Sequence, residues 1–328
     1  METTQTSLIS SPSSSVIENP NAEHRTLNAE RFFSVSSRLA PQVSPFTPIQ
    51  VISPELVLVD WGPMTLTISV WAENQARPVM AVQTARKALD LLERLSEDQP
   101  ILKIKPGRIR NFSNISPLVK RALSACKAIS PDLTGMATIA GLVADELVAF
   151  AFTLGGDRII VNNGGDIALG LGKNQTVRVA LKDPWKETVA HFLEIRSSHG
   201  VGGVATSGWR GRSFSPGVAD AVSVWASDCL LADAAATWIA GQMKLNSPKV
   251  IQRPAKDLDP ETDIPHLMIT RDVLALTDGE KETVLAAGHA AAKELMVKGI
   301  IRGAFMSVQG ICRWMAHNEP FSREYHIK

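Results

Sequence analysis

Arg158-Ile159-Ile160-Val161-Asn162-Asn163-Gly164-Gly165-Asp166-Ile167-Ala168-Leu169-Gly170-Leu171 holds two apolar runs parted by a glycine pair. Runs rich in β-branched residues read as strands, and Asn-Gly between apolar residues is a strong hairpin signal. The stretch predicts strands over Arg158–Val161 and Ile167–Leu171. A plain hairpin turn would explain the glycines. So would a ligand loop, because Gly164 and Gly165 carry no side chains that keep a flat or phosphate-bearing group away from main-chain N–H groups. The stretch is neither a Walker nor a Rossmann loop, since it lacks Gly-Lys-Ser/Thr and its glycines do not follow GxGxxG.

Outward from this hairpin, further short strands are expected over Val177–Leu181, Val189–Ile195, Val201–Thr206 and Val222–Trp225, as in a curved sheet. On the N-terminal side, Leu56–Val59 and Leu66–Val70 flank a Trp61-Gly62-Pro63 turn. Pro78 suits the first position of a helix whose Val82, Ala85, Leu89 and Leu92 form an apolar stripe. Ser116-Pro117 starts a second helix with Leu118, Ala122, Cys126 and Ile129 inward. A third, built of small residues, runs from about Met136 to Phe150. Its Gly135 and Gly141 permit close approach either of another backbone or of a ligand. Leu230–Met243 reads as a buried helix and 246–265 as an irregular crossover. Thr277 or Asp278 caps a last helix to about Lys298, and Gly299–Val308 is a closing strand. Helices packed on mixed or antiparallel sheets make an α+β arrangement.

The bulk properties narrow the function classes. The chain has 328 residues and a formal net charge of +1, so no overall field draws nucleic acid or an acidic membrane surface. Residues 1–42 are rich in Ser, Thr, Asn and Pro and are expected to be a disordered leader, with 43–328 as one ligand-binding domain. The leader lacks a basic start followed by an apolar run, and no uninterrupted apolar stretch reads as a membrane span. The expected setting is cytoplasmic. Cys126, Cys229 and Cys312 are too few and too scattered for a disulfide framework or a zinc site.

Two further segments carry chemistry. Thr206-Ser207-Gly208-Trp209-Arg210-Gly211-Arg212 closes a strand with two hydroxyls and two guanidinium groups. Arg210 and Arg212 suit bidentate contacts to phosphate or carboxylate, and Trp209 suits stacking on a planar ring; a plain polar loop is the alternative. Asp233 and Thr237 lie at i and i+4 on an otherwise apolar helix, so their oxygens share one face. Such ligands suit Mg²⁺. Alternatively, Asp233 complements the helix dipole and Thr237 bonds back to a carbonyl. No histidine pair has metal-ligand spacing, but His199, just before a glycine run, suits a general base. Asp145 reads as a capping or solvated group.

In this order, Gly135–Asp145, Val161–Ile167, Ala205–Gly208 and Ala232–Thr237 resemble the ApbE-like superfamily of FAD:protein FMN transferases, over roughly residues 45–328. Ser207–Ser213 is more similar to an uncharacterised family filed beside those enzymes. The resemblance implies an α+β fold with a ligand cleft between two halves, FAD or FMN as ligand, and Mg²⁺ on Asp233 and Thr237. It also implies that Asn163, Gly164, Gly165 and Asp166 line the flavin path and that Thr206, Ser207 and Gly208 touch it. Ala140 stands where the transferases usually carry a lysine. Phe214-Ser215-Pro216-Gly217 stands where they carry a His-Ile-Ile-Asp-Pro-like segment.

Three functions are compatible with these residues. The first is a Mg²⁺-dependent enzyme of FMN-transferase type. The second is a hydrolase or isomerase of a small carboxylate-bearing ring compound, using Asp166, His199 or Ser207. The third is a non-catalytic flavin or nucleotide binder. A small-molecule ligand, no nucleic acid, no membrane and a possible homodimer complete the expectation.

Overall fold

The computed structural model describes residues 47–186, 188–316 and 322–323. The expected leader at 1–42 lies outside the described residues.

The strands are β1 Ile49–Ser53, β2 Leu56–Trp61, β3 Met64–Ala72, β4 Gln75–Ala76, β5 Arg158–Asn163, β6 Asp166–Leu171, β7 Thr176–Asp183 and β8 Thr188–Arg196. They continue as β9 Gly203–Ser207, β10 Ala221–Ala226, β11 Val250–Pro254, β12 Met268–Val273, β13 Ile301–Val308, β14 Ile311–Ala316 and β15 Ser322–Arg323. The helices are α1 Pro78–Glu97, α2 Gln99–Leu102, α3 Pro117–Ile129, α4 Ile139–Thr153, α5 Cys229–Gln242 and α6 Asp278–Val297.

Ten strands form the main sheet in the order β1-β2-β3-β5-β6-β9-β10-β13-β14, with β4 beside β3. Every pairing in it is antiparallel. This settles the sheet type that the sequence left open, and the fold is α+β. Two smaller sheets, β11-β12 and β15-β8-β7, complete it.

Local signals set most of these boundaries. Pro78 opens α1. Ser116 caps α3 by accepting from the Val119 N–H, and Leu118, Ala122, Cys126 and Ile129 are all buried as expected. Thr277 and Glu280 form a reciprocal capping box at the start of α6.

Two apolar cores flank the sheet on its helical side. One joins Val57, Leu66, Ile68, Ile159 and Val161 to Ala85, Leu91, Leu142 and Leu147. The other joins Ala205, Val222 and Val224 to Ala232, Ala236, Val284 and Leu295. On the opposite face, Leu169, Trp225 and Phe305 pack on Val179, Leu181, Leu193 and Ile195 of β7 and β8. Each fully buried Leu or Ile contributes about 1.5–3 kcal/mol relative to exposure.

Several expectations need correction. The buried stripe of α1 is Ala81, Thr84, Ala85, Ala88, Leu91 and Leu95. Val82, Leu89 and Leu92 flank it, partly buried and packed against the same core. The stretch read as an irregular crossover contains β11, whose partner β12 lies beyond Pro265. The strand ending at Val308 does not close the fold, since β14 pairs with it across the Gln309-Gly310 turn. β1 also escaped the sequence reading. Finally, Gly135–Thr153 is a helical stretch long and apolar enough to cross a membrane, where none was expected. Half of it is buried here against neighbouring elements.

Candidate active site

The hairpin signal is realised: Asn163 pairs with Asp166 across a two-residue turn. Gly164 and Gly165 take φ of +66° and +113°, the left-handed region that favours glycine. The Gly165 N–H donates to Asn162 Oδ1 at 2.9 Å, which fixes the turn.

Strand alternation decides which side chains share a face. In β5, Ile159 and Val161 enter the first helical core, and Asn163 follows at the same parity. Its Nδ2 donates to the Ala140 carbonyl of α4 at 3.2 Å. In β9, Gly203 lies against Cys229 at the start of α5 and Ala205 packs in the second core. Ser207 continues that face and is 6% exposed; its Oγ has no hydrogen-bond partner among the described residues. The candidate site is thus the seam between the sheet and helices α4 and α5, at the glycine-turn end.

The two helices exchange carboxylates there. Asp145 of α4 accepts from the Cys229 and Leu230 N–H groups at 3.0 and 2.8 Å, which caps α5. Asp233 of α5 accepts from the Gly141 N–H of α4 at 3.0 Å. Each acid meets the N-terminal turn of the other helix, where free N–H groups and the dipole favour negative charge. Gly141 makes this approach possible, since a Cβ there would stand 2.5 Å from the Cys229 carbonyl oxygen. The small residues therefore serve close backbone packing.

Asp166 is partly exposed, and its Oδ1 accepts from the Thr206 N–H at 3.3 Å. Loss of water around its carboxyl pushes it up to about 7, against the lowering from that N–H and from Arg212. Burial pushes Asp233 well above the usual carboxylate range, with the Asp166 charge as the next cause. Asp145 rises to about 7, chiefly through burial and against its two N–H donors. The sequence thus brings Asp166 and Asp233 within mutual electrostatic reach although 67 positions separate them. Thr237, one turn beyond Asp233, is half-buried, and no hydrogen bond of its hydroxyl occurs among the described residues.

These groups fit a hard divalent cation: two oxygen acids repel each other in a desolvated seam, with a hydroxyl one turn away. Among the described residues no group of three or more His, Cys, Asp or Glu side chains converges on one point.

The arginine-bearing loop divides in two. Arg212 is exposed, lies over Gly164 and donates from Nη2 to the Pro63 carbonyl at 2.9 Å. Arg210 instead donates from Nε to Asp220 Oδ1 at 2.8 Å. Trp209 is only 3% exposed and donates from Nε1 to the same oxygen at 3.2 Å, so it offers no face to a ligand. The stacking role expected for it is corrected: an indole beside a buried carboxylate is drawn inward to satisfy that charge. Thr206 is exposed, and its hydroxyl lies 2.7 Å from Ser223 Oγ.

His199 is not brought to the seam. It belongs to the turn before the Gly203 end of β9, and its Nδ1 accepts from the Arg196 N–H at 3.2 Å. Ser207 stands at the other end of β9, roughly 13 Å along the strand. Burial, then the Arg196 charge, holds the His199 pKa below its ordinary value. Sequence reading missed Asp220, although a carboxylate inside Val218-Ala219-Asp220-Ala221-Val222 demands a partner, and that signal was available. Of the two roles open to Asp145, capping is the one observed.

The sequence model of the family described as "AbpE bacteria" matches residues 50–314, and the chain belongs to that family. It is 33% identical over 162 residues to a UPF0280 protein of Methanococcus aeolicus, covering 49% of this chain and 61% of that protein. It is 34% identical over 180 residues to a UPF0280 protein of Methanopyrus kandleri, covering 53% and 70%. For a UPF0280 protein of Methanoregula boonei the covered share of the relative is 50%, so the chain spans half to two thirds of several curated relatives. Among solved structures, the ApbE protein of Thermotoga maritima is 13% identical with a TM-score of 0.48, over 82% of this chain and 99% of that one. The flavin transferase ApbE of Vibrio cholerae is 12% identical with a TM-score of 0.47, over 81% and 98%.

Proposed function

We propose that this chain is a Mg²⁺-dependent, FMN-transferase-like enzyme that binds a phosphate-bearing flavin at the glycine-turn end of its sheet. The observation that carries this reading is the placing of Asp166 at the glycine turn, within electrostatic reach of the buried Asp233 of α5, with Arg212 lying over Gly164. Membership of the family supports it.

In this reading Asp233 and Thr237 hold the cation, with Asp166 beside them. When bound, the cation neutralises charge on phosphoryl oxygens. The remaining work falls to the protein. Gly165, with open space where a side chain would stand, lets the ligand lie against main chain, and Asn163 braces the turn on the Ala140 carbonyl. Arg212 meets an anionic oxygen, as a guanidinium fork does well. Ser207 supplies a buried hydroxyl that lacks a partner among the described residues, and Thr206 and Gly208 flank the ligand through backbone. His199 has no part in this scheme.

The test is incubation with FAD and Mg²⁺, with FMN and AMP followed by chromatography and transfer to a threonine-bearing peptide followed by mass spectrometry. We expect Mg²⁺-dependent flavin binding and FAD cleavage, both lost in Asp233→Asn while that variant still unfolds cooperatively. Undiminished turnover in that variant, or no flavin binding by the unaltered protein, overturns the reading.

A further inference from the structure

We infer that Asp220 is a positioning residue that pins the Gly208–Arg212 loop, so that Arg212 alone is presented to an anionic group over the Gly164-Gly165 turn. The inference rests on the phosphate-binding part of the reading above. Four contacts converge on Asp220. Its Oδ1 takes Trp209 Nε1 and Arg210 Nε, at 3.2 and 2.8 Å. Its Oδ2 accepts from the Gln309 N–H in the β13–β14 turn. Its own N–H donates to the Ser307 carbonyl at 2.9 Å, and the neighbouring Ala219 carbonyl accepts from the Trp209 N–H at 3.0 Å.

Asp220 has no exposed side-chain surface, so its charge stays buried only while those donors stay in place. The Arg210 guanidinium is further held between two aromatic rings, 4.7 Å from the Trp209 centroid and 5.3 Å from that of Trp185. Arg210 is thereby spent on the fold. The Gly211 N–H donates to the Gly208 carbonyl at 3.0 Å, which turns the chain and delivers Arg212 two residues on, exposed above Gly164. A ligand phosphate therefore meets one arginine of the pair, and the other sets where that arginine stands. Preorganisation of this kind raises affinity by removing the cost of ordering the loop on binding.

Phenylglyoxal labelling read by mass spectrometry separates the two arginines, with inorganic pyrophosphate and Mg²⁺ as the probe. In the unaltered protein Arg212 should react faster than Arg210, and pyrophosphate should protect Arg212 selectively. Asp220→Ala should expose Arg210 to reagent and weaken pyrophosphate protection of Arg212 about tenfold, the scale of one charged hydrogen bond. Asp220→Asn, which keeps an acceptor oxygen, should restore part of it. Should Asp220→Ala not fold, Arg210→Gln cuts the same tie from the other side and should weaken protection likewise. Protection at Arg210, no protection at Arg212, or protection unchanged in the folded variants each overturns the inference. FAD binding by the unaltered protein is scored separately. Its absence alongside intact pyrophosphate protection would remove the flavin reading and leave this one standing.

Discussion

Replacing Gly141 by alanine sets two rules against each other. Gly141 is in the first turn of α4, and helix propensity alone predicts that alanine stabilises the helix by about 1 kcal/mol. The packing predicts the reverse. An added Cβ would stand 2.5 Å from the Cys229 carbonyl oxygen, 2.8 Å from its carbon and 3.0 Å from Asp233 Cβ. Two of these neighbours are backbone, so α4 and α5 must part. Overpacking of this type costs about 1–3 kcal/mol. Parting also lengthens the 3.0 Å bond from the Gly141 N–H to Asp233, whose loss costs about 0.5–1.5 kcal/mol for the neutral carboxyl that burial favours. The net expectation is a destabilisation of about 1–3 kcal/mol, or roughly 2–5 °C in melting temperature for a domain of this size. Urea unfolding with a global fit measures it. Because both changes act through one contact, Gly141→Ala combined with Asp233→Asn should cost less than the sum of the single variants. A Gly141→Ala protein as stable as the parent, or more so, would refute the close helix contact on which the seam depends.

Two further outcomes follow from the same seam. Asp145 and Asp166 have folded-state pKa values of about 7, above the ordinary carboxylate value, so the folded state holds protons that the unfolded state has lost. Their contribution is full below about pH 4 and is lost as pH rises to about 7. Thermal melts without metal should fall over that window, and Mg²⁺ should raise the melting temperature more at pH 8 than at pH 5; a rising or flat profile would contradict the burial of these acids. Asp145→Ala strips the acceptor from the Cys229 and Leu230 N–H groups and should cost about 2 kcal/mol, the price of unsatisfied buried donors, read by the same urea titration. A loss below about 0.5 kcal/mol would mean that water takes over the cap.

Much of the architecture is written locally. Ser116-Pro117, Thr277 with Glu280, and Asn163-Gly164-Gly165-Asp166 each form their hydrogen bonds within a few residues, so the sequence alone determined two helix starts and the central hairpin. Segment order was enough to bring out the family, because it samples the whole chain at once. What the sequence could not decide was which distant groups meet. Gly141 and Asp233 are 92 residues apart, Cys229 and Asp145 84, and Gln309 and Asp220 89. Such meetings depend on sheet order and on how closely two helices pack, properties with no local hydrogen-bond signature. The same physics divided the two arginines: side by side in sequence terms, Arg210 was drawn inward by a buried carboxylate from β10's edge, while Arg212 was left facing the glycine turn. His199 likewise stands apart from Ser207, since it lies in the turn before β9 while Ser207 closes the far end of that extended strand.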